Sequence, residues 1–193
     1  MNKIKIGTKL SSKLTIEDYD NLLKDQEKSK QAIAEFVFER LTERYITPIK
    51  NVLVKYKNGF SIMANCCLLI ETYQCFRLGL NDTNKRGLGE QVFKDFMDEE
   101  PEFIQLKGMG VLFYKNVRCG ILHQGETKKG WTISRKTSDP LFDSKQLKIN
   151  ANLFIEALSK TLERYKDELI KEDWSAGTWE NCRDKIEFIK NNC

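Results

Sequence analysis

Residues 60–80 read FSIMANCCLLIETYQCFRLGL, with only Glu71 and Arg77 charged. The stretch opens after the break Lys57-Asn58-Gly59 and is apolar nearly all round, the pattern of a helix in the middle of a bundle. Its uncharged run, 58–70, is too short to cross a bilayer, which needs about 20 apolar residues. A carboxylate in such a helix is costly without a partner, so two readings of Glu71 stand together. Either it lies on an exposed face, or it is inside and paired with an arginine, for which Arg118 is a candidate. In the second case Glu71 orients a site without doing its chemistry.

Working outward toward the amino terminus, residues 1–13 read as an irregular, basic lead-in. Thr15 is placed as a helix cap, with Asp18 three residues on completing a capping box. The helix is expected to run, with or without a break, through Ile33, Phe36, Val37, Arg40, Leu41 and Tyr45, until Pro48 ends or kinks it. On the other side, 79–89 reads as a loop, followed by a helix over 90–99 that stops at Pro101. The glycines of RGLGEQ and KGMGVL lack the Gly-Lys-Ser/Thr ending of a phosphate loop and read as caps and close-packing positions.

A further helix is predicted from about Lys107, with Met109, Phe113, Val117 and Ile121 on one face and Leu112 and Leu122 widening the stripe. It carries Arg118 and His123, the latter the only histidine among 193 residues. Five positions on a regular helix put two side chains about 140° apart. The pair can meet on one ligand only if the helix ends or distorts, for which Gly120 and Gly125 are suited, or if the ligand lies between two chains. After Gly130 the pattern turns strand-like at Trp131, Ile133 and 146–149, with a turn around Ser138-Asp139-Pro140, and predicts a small basic β-hairpin over about 130–149. A long helix follows from a cap at Asn150 to about Glu172, burying Phe154, Leu158, Leu162, Tyr165 and Leu169. A last helix over 178–189 places Trp179, Cys182, Ile186 and Ile189 on one face. The expected architecture is all-α, a single helical domain with a β-hairpin inserted after the motif helix.

Composition narrows the chemistry. The chain carries a formal charge of +4, but between Lys115 and Lys148 eight basic residues face three acids. A basic excess around the histidine favours an anionic ligand, for which nucleic acid and polyphosphates are the usual candidates, against the alternative of a solvated lysine-rich loop. Six cysteines without a secretion signal, two of them adjacent at Cys66 and Cys67, read as reduced thiols. With one histidine and no CxxC pair, neither a metal site nor a cofactor is expected. The expected setting is intracellular and cytoplasmic, with no membrane association. Asn81-Asp82-Thr83 matches a glycosylation acceptor, which has no consequence in that setting.

An arginine beside a lone histidine suits phosphodiester cleavage: the guanidinium matches phosphate oxygens, and the imidazole takes a proton from the ribose 2′-hydroxyl or gives one to the departing 5′-oxygen. Doing both takes two groups, so a two-fold homodimer with a composite site is expected. A Cys119–His123 pair and a histidine that merely caps a helix remain the alternatives from the residues themselves. The stretch FYKNVRCGILHQGETKKGW, residues 113–131, together with LLIETYQCFRLGL upstream, resembles the HEPN domain family, small helical proteins with an Arg-x4-His motif. The resemblance covers roughly Ser61 to Trp131. It implies Arg118 and His123 as catalytic residues of a metal-independent ribonuclease in a toxin–antitoxin or antiviral defence setting. It also implies dimerisation, and an antitoxin or regulatory protein as a further partner. Glu71, Tyr114, Asn116 and Thr127 are expected to support the pair, and Lys115, Lys128, Lys129, Arg135 and Lys136 to bind RNA. Many members carry a polar residue, often asparagine, after the arginine, where this chain has Cys119. Some HEPN proteins bind RNA or nucleotides without cutting, which is the second expectation.

Overall fold

The structure is a computed structural model that describes residues 7–50 and 56–193; the first part of the lead-in, 1–6, lies outside the described residues. The chain falls into two compact units. One comprises the described part of Met1–Arg44 with Tyr73–Asn81 and Leu162–Cys193, the other the described part of Tyr45–Thr72 with Asp82–Thr161.

In the first unit, Thr15 and Asp18 form the expected capping box at the start of α1 (Ile16–Lys24). The lead-in beside it is irregular but anchored. Leu10 is buried, and its carbonyl accepts a hydrogen bond from the Arg40 guanidinium. A break at Asp25 and a 3-10 turn over Gln26–Ser29 separate α1 from α2 (Lys30–Leu41), which buries Ile33, Phe36, Val37 and Leu41. Proline does not end this helix. The helix widens into a π turn over Thr42–Ile46, within which the second unit begins at Tyr45, and continues as α3 (Thr47–Lys50) through Pro48. Proline has no N–H and its ring presses on the carbonyl four residues back, and a widened turn relieves both.

The apolar helix is α4 (Gly59–Leu78); Ile62, Met63, Cys66, Cys67, Leu69, Ile70, Tyr73 and Phe76 are buried along it, whereas Leu68 and Leu78 are exposed, so it is not enclosed all round in the way its composition predicts. Its last residues belong to the first unit, where Arg77 pairs with Glu168 at 2.5 Å and Tyr73 meets the Tyr165 ring edge-on. Glu168 and Tyr165 come from α8 (Ala151–Lys171), and its predicted face, Phe154 to Leu169, is buried throughout. Asn150 caps α8, its Oδ1 accepting the backbone N–H groups of Asn152 and Leu153. The closing helix α9 (Gly177–Asn191) buries Trp179, whose indole N–H donates to the Leu169 carbonyl at 2.8 Å.

The second unit is built around aromatic rings. Here α5 (Leu88–Glu99), a 3-10 turn over Pro101–Leu106, and α6 (Gly110–Phe113) follow one another. The expected helix start near Lys107 moves to Gly110, because Gly108 sits at φ +77° and donates its N–H to the Asp98 carboxylate. A Cβ at Gly110 would lie 2.5 Å from the Phe93 carbonyl oxygen, so glycine lets α6 pack backbone to backbone on α5. Phe113 then stacks between Phe93 and Phe154, at ring-centroid distances of 5.7 and 5.4 Å. Leu112, expected in the buried stripe, is exposed, as is Leu122.

The hairpin expectation is corrected. Three strands, β1 (Thr132–Ser134), β2 (Phe142–Asp143) and β3 (Lys148–Asn150), form a sheet in the order β1-β3-β2. Thr132–Ser134 runs parallel to β3, and the antiparallel partner is instead β2. Two contacts produce this arrangement. The buried Asn150 amide donates to the carbonyls of Lys136 and Asp139, carrying the chain across after β1. The Asp143 carboxylate accepts the N–H groups of Lys145 and Gln146 and makes the tight turn into β3. The protein is thus mainly helical with a small three-stranded sheet. No helix among the described residues is long and apolar enough to cross a membrane.

Candidate functional site

The motif helix is not regular. After Phe113 it widens into a π turn over Tyr114–Arg118, in which the Cys119 N–H reaches the Tyr114 carbonyl, and resumes as α7 (Cys119–Gln124). The turn buries Asn116 and Val117. The distortion therefore ends at Arg118, and does not lie at Gly120 as the sequence suggested. Such π turns are frequent at functional sites.

Arg118 reaches Glu71 of α4, its Nε–H donating to Oε1 at 2.7 Å. The two side chains are only 19% and 14% exposed, so of the two readings of Glu71 the inside, paired one holds. Its other oxygen, Oε2, accepts the Thr83 hydroxyl at 2.6 Å. Burial works against the charge on Arg118, but the hydrogen bond and charge of Glu71 outweigh it and hold the guanidinium above its ordinary pKa. The Tyr114 ring lies 5.5 Å from the guanidinium carbon, a cation–π distance. Burial and the neighbouring Cys119 push the Tyr114 hydroxyl up, so it stays protonated at neutral pH.

The exposed end of this assembly is His123. Its Nε2 lies 3.4 Å from Nη1 of Arg118 within one chain. The divergence expected of a regular helix is overcome by the reach of the arginine side chain, so convergence on one ligand does not need two chains. An acceptor Nε2 requires the ring proton on Nδ1. The Cys119 thiol acts on the Tyr114 hydroxyl, and no hydrogen bond joins it to the imidazole among the described residues, which leaves the Cys–His alternative without support in the geometry.

Gly125, at φ +69°, ends α7 where expected, and the chain folds straight back. The Lys128 N–H donates to the Asn116 carbonyl at 2.9 Å, and the Thr127 hydroxyl to the Trp131 carbonyl at 2.5 Å. Asn116 and Thr127 thus clasp the loop that follows the histidine, while Tyr114 touches the arginine itself. Gly120 permits the close return, since a Cβ there would sit 2.5 Å from the Glu126 carbonyl oxygen. Gly120→Ala is expected to destabilise the protein by up to about 2 kcal/mol, because overpacking against backbone, about 1–3 kcal/mol, exceeds the gain in helix propensity of about 1 kcal/mol. A lower melting temperature with faster amide exchange at Lys128 checks it; a stabilised variant would refute it.

Among the predicted RNA-binding residues, Lys115 pairs with Glu90 at 3.1 Å. The Arg135 guanidinium donates to Asn152 Oδ1 and to the Tyr56 carbonyl, each at 2.9 Å. Both cations therefore have partners within the chain. Lys128 is half-buried in the loop clasp, whereas Lys129 and Lys136 are exposed. Thr83 is the site residue that sequence reasoning missed: it lies in a loop, and nothing in its spacing points to a helix twelve residues away. No protein-family model matches the chain, and no curated protein or solved structure matches it.

Proposed function

We propose that the protein is a metal-independent endoribonuclease of the HEPN type that cleaves RNA by 2′-hydroxyl attack, in a toxin–antitoxin or defence setting. The observation that carries the reading is Nη1 of Arg118 at 3.4 Å from Nε2 of the exposed His123, on a guanidinium held from behind by Glu71. With Nε occupied, the terminal nitrogens of Arg118 face a phosphate and offset the charge that grows on it in the transition state. The 2′-oxygen forms a bond to phosphorus and loses its proton to a base. The bond from phosphorus to the 5′-oxygen breaks, and that oxygen takes a proton. The products are a 2′,3′-cyclic phosphate and a 5′-hydroxyl. His123 serves one of the two proton transfers.

A homodimer supplying a second His123 is part of the proposal. Its support is now chemical alone, one histidine for two transfers, because the pair meets within a single chain. The exposed Lys129 and Lys136, with Lys128, offer an approach for the RNA backbone.

Incubating the purified protein with RNA in EDTA, beside His123→Ala, tests the reading. Loss of cleavage by about 10²–10⁴-fold in the variant is expected, with cyclic phosphate ends in the wild type. Equal cleavage by both proteins would sink it. Salt-sensitive binding that survives His123→Ala but weakens in Lys128→Gln/Lys129→Gln, with no cutting by either protein, identifies the alternative of a non-catalytic RNA- or nucleotide-binding module.

A further inference from the structure

The contact between Glu71 and Arg118 is single where the chemistry of the two groups favours a double one. A guanidinium and a carboxylate commonly pair through two parallel N–H···O bonds. Here Oε1 takes the Nε–H of Arg118 at 2.7 Å, and Oε2 is turned to the Thr83 hydroxyl at 2.6 Å. The terminal torsion of a glutamate is broad, so nothing intrinsic to Glu71 prevents its carboxylate from rotating to meet a second guanidinium nitrogen. A partner for each oxygen prevents it. Thr83 belongs to the loop between Gly79 and Gly87, both at positive φ, and the N–H of Asn84 bonds to the Asp82 carboxylate to form the turn about it.

We propose that Thr83 is a positioning residue for the Arg118–His123 pair: by holding Oε2 of Glu71, its hydroxyl keeps the ion pair single and leaves the terminal nitrogens of Arg118 for His123 and a substrate phosphate. The consequence for the site, though not the conformational effect, rests on the ribonuclease reading. Without the hydroxyl, the carboxylate turns toward a bidentate pairing, and Nη1 is drawn away from Nε2 of His123. The loop that carries Thr83 is thereby coupled to the geometry of the reactive pair. The hydrogen bond of the Thr83 hydroxyl goes to Glu71, and through it to Arg118.

Thr83→Val removes the hydroxyl at nearly constant shape, and Thr83→Ser keeps it. His123 is the only histidine, so its ring resonances in the full-length protein are assigned without ambiguity. Thr83→Val is expected to displace those resonances from their wild-type positions, while Thr83→Ser retains them and both variants melt near the wild type. In RNA cleavage, Thr83→Val is expected to lower kcat about tenfold or more with KM little changed, and Thr83→Ser to restore it. Ring resonances unmoved in Thr83→Val, or moved equally in both variants, would overturn the proposal. Should the wild type not cleave RNA at all, the ribonuclease reading fails while the resonances still decide the role of Thr83.

Discussion

Replacing Phe113 by alanine is expected to lower the unfolding free energy by about 3–5 kcal/mol, the range for truncating a fully buried phenylalanine. The ring is wholly buried, stacked on Phe93 and Phe154, with the Trp131 ring edge-on at 6.1 Å. Those partners come from α5, α8 and the loop leading to β1, so a cavity there cannot close by moving one side chain. Against a total of about 5–15 kcal/mol the loss is large. It corresponds to a fall of roughly 6–20 °C in Tm for a chain of this size. Leu112→Ala is the control, because Leu112 is the adjacent residue on the same helix and is 47% exposed. Thermal or urea melts of the two variants check the pair, and comparable losses would refute this account of the core. Phe113 is also the last regular position before the π turn, so slackening it should loosen Arg118 as well.

The second large effect is alkaline. Burial pushes the Cys182 thiol up to about 12 and raises the thiols of Cys66 and Cys67 as well. Burial likewise raises the hydroxyls of Tyr19 and Tyr165. For each of these groups the folded chain holds a proton that the unfolded chain releases. The stability they confer is intact below the unfolded pKa, about 8.5 for a thiol, and is lost as the pH rises above it. At pH 10 each of the three thiols costs about 1.4–2 kcal/mol relative to pH 7, so together they remove about 4–6 kcal/mol, with the tyrosines adding more above pH 10. Urea unfolding in reducing buffer at pH 7.5 and pH 10 measures this. A stability that stays flat over that interval would show that the thiols are not sealed from water.

Much of the helical framework was legible because it depends on local patterns. The Thr15–Asp18 capping box, the Asn150 cap, the glycine end of the motif helix at Gly125 and the buried face of α8 each follow from residues within one or two turns of one another. The departures have non-local causes. The exchanged sheet order depends on Asn150 gripping carbonyls 14 and 11 residues back, a contact that no alternation of apolar residues encodes. The start of α6 moved because Gly108 answers to Asp98, ten residues earlier.

Read alone, the sequence determined that a charge-poor helix runs through the protein, that Arg118 and a unique histidine share a basic stretch, and that Glu71 needs either water or a cation. Only the tertiary structure decided among those choices. It set Glu71 inside against Arg118, placed a π turn that ends at the arginine, brought Nη1 within 3.4 Å of His123 in one chain, and added Thr83 from a loop. The physical reason is range. Caps and helix faces are set by neighbours along the chain, whereas the partner of a sheltered carboxylate is whichever donor the packing delivers, here one 12 and one 47 residues away.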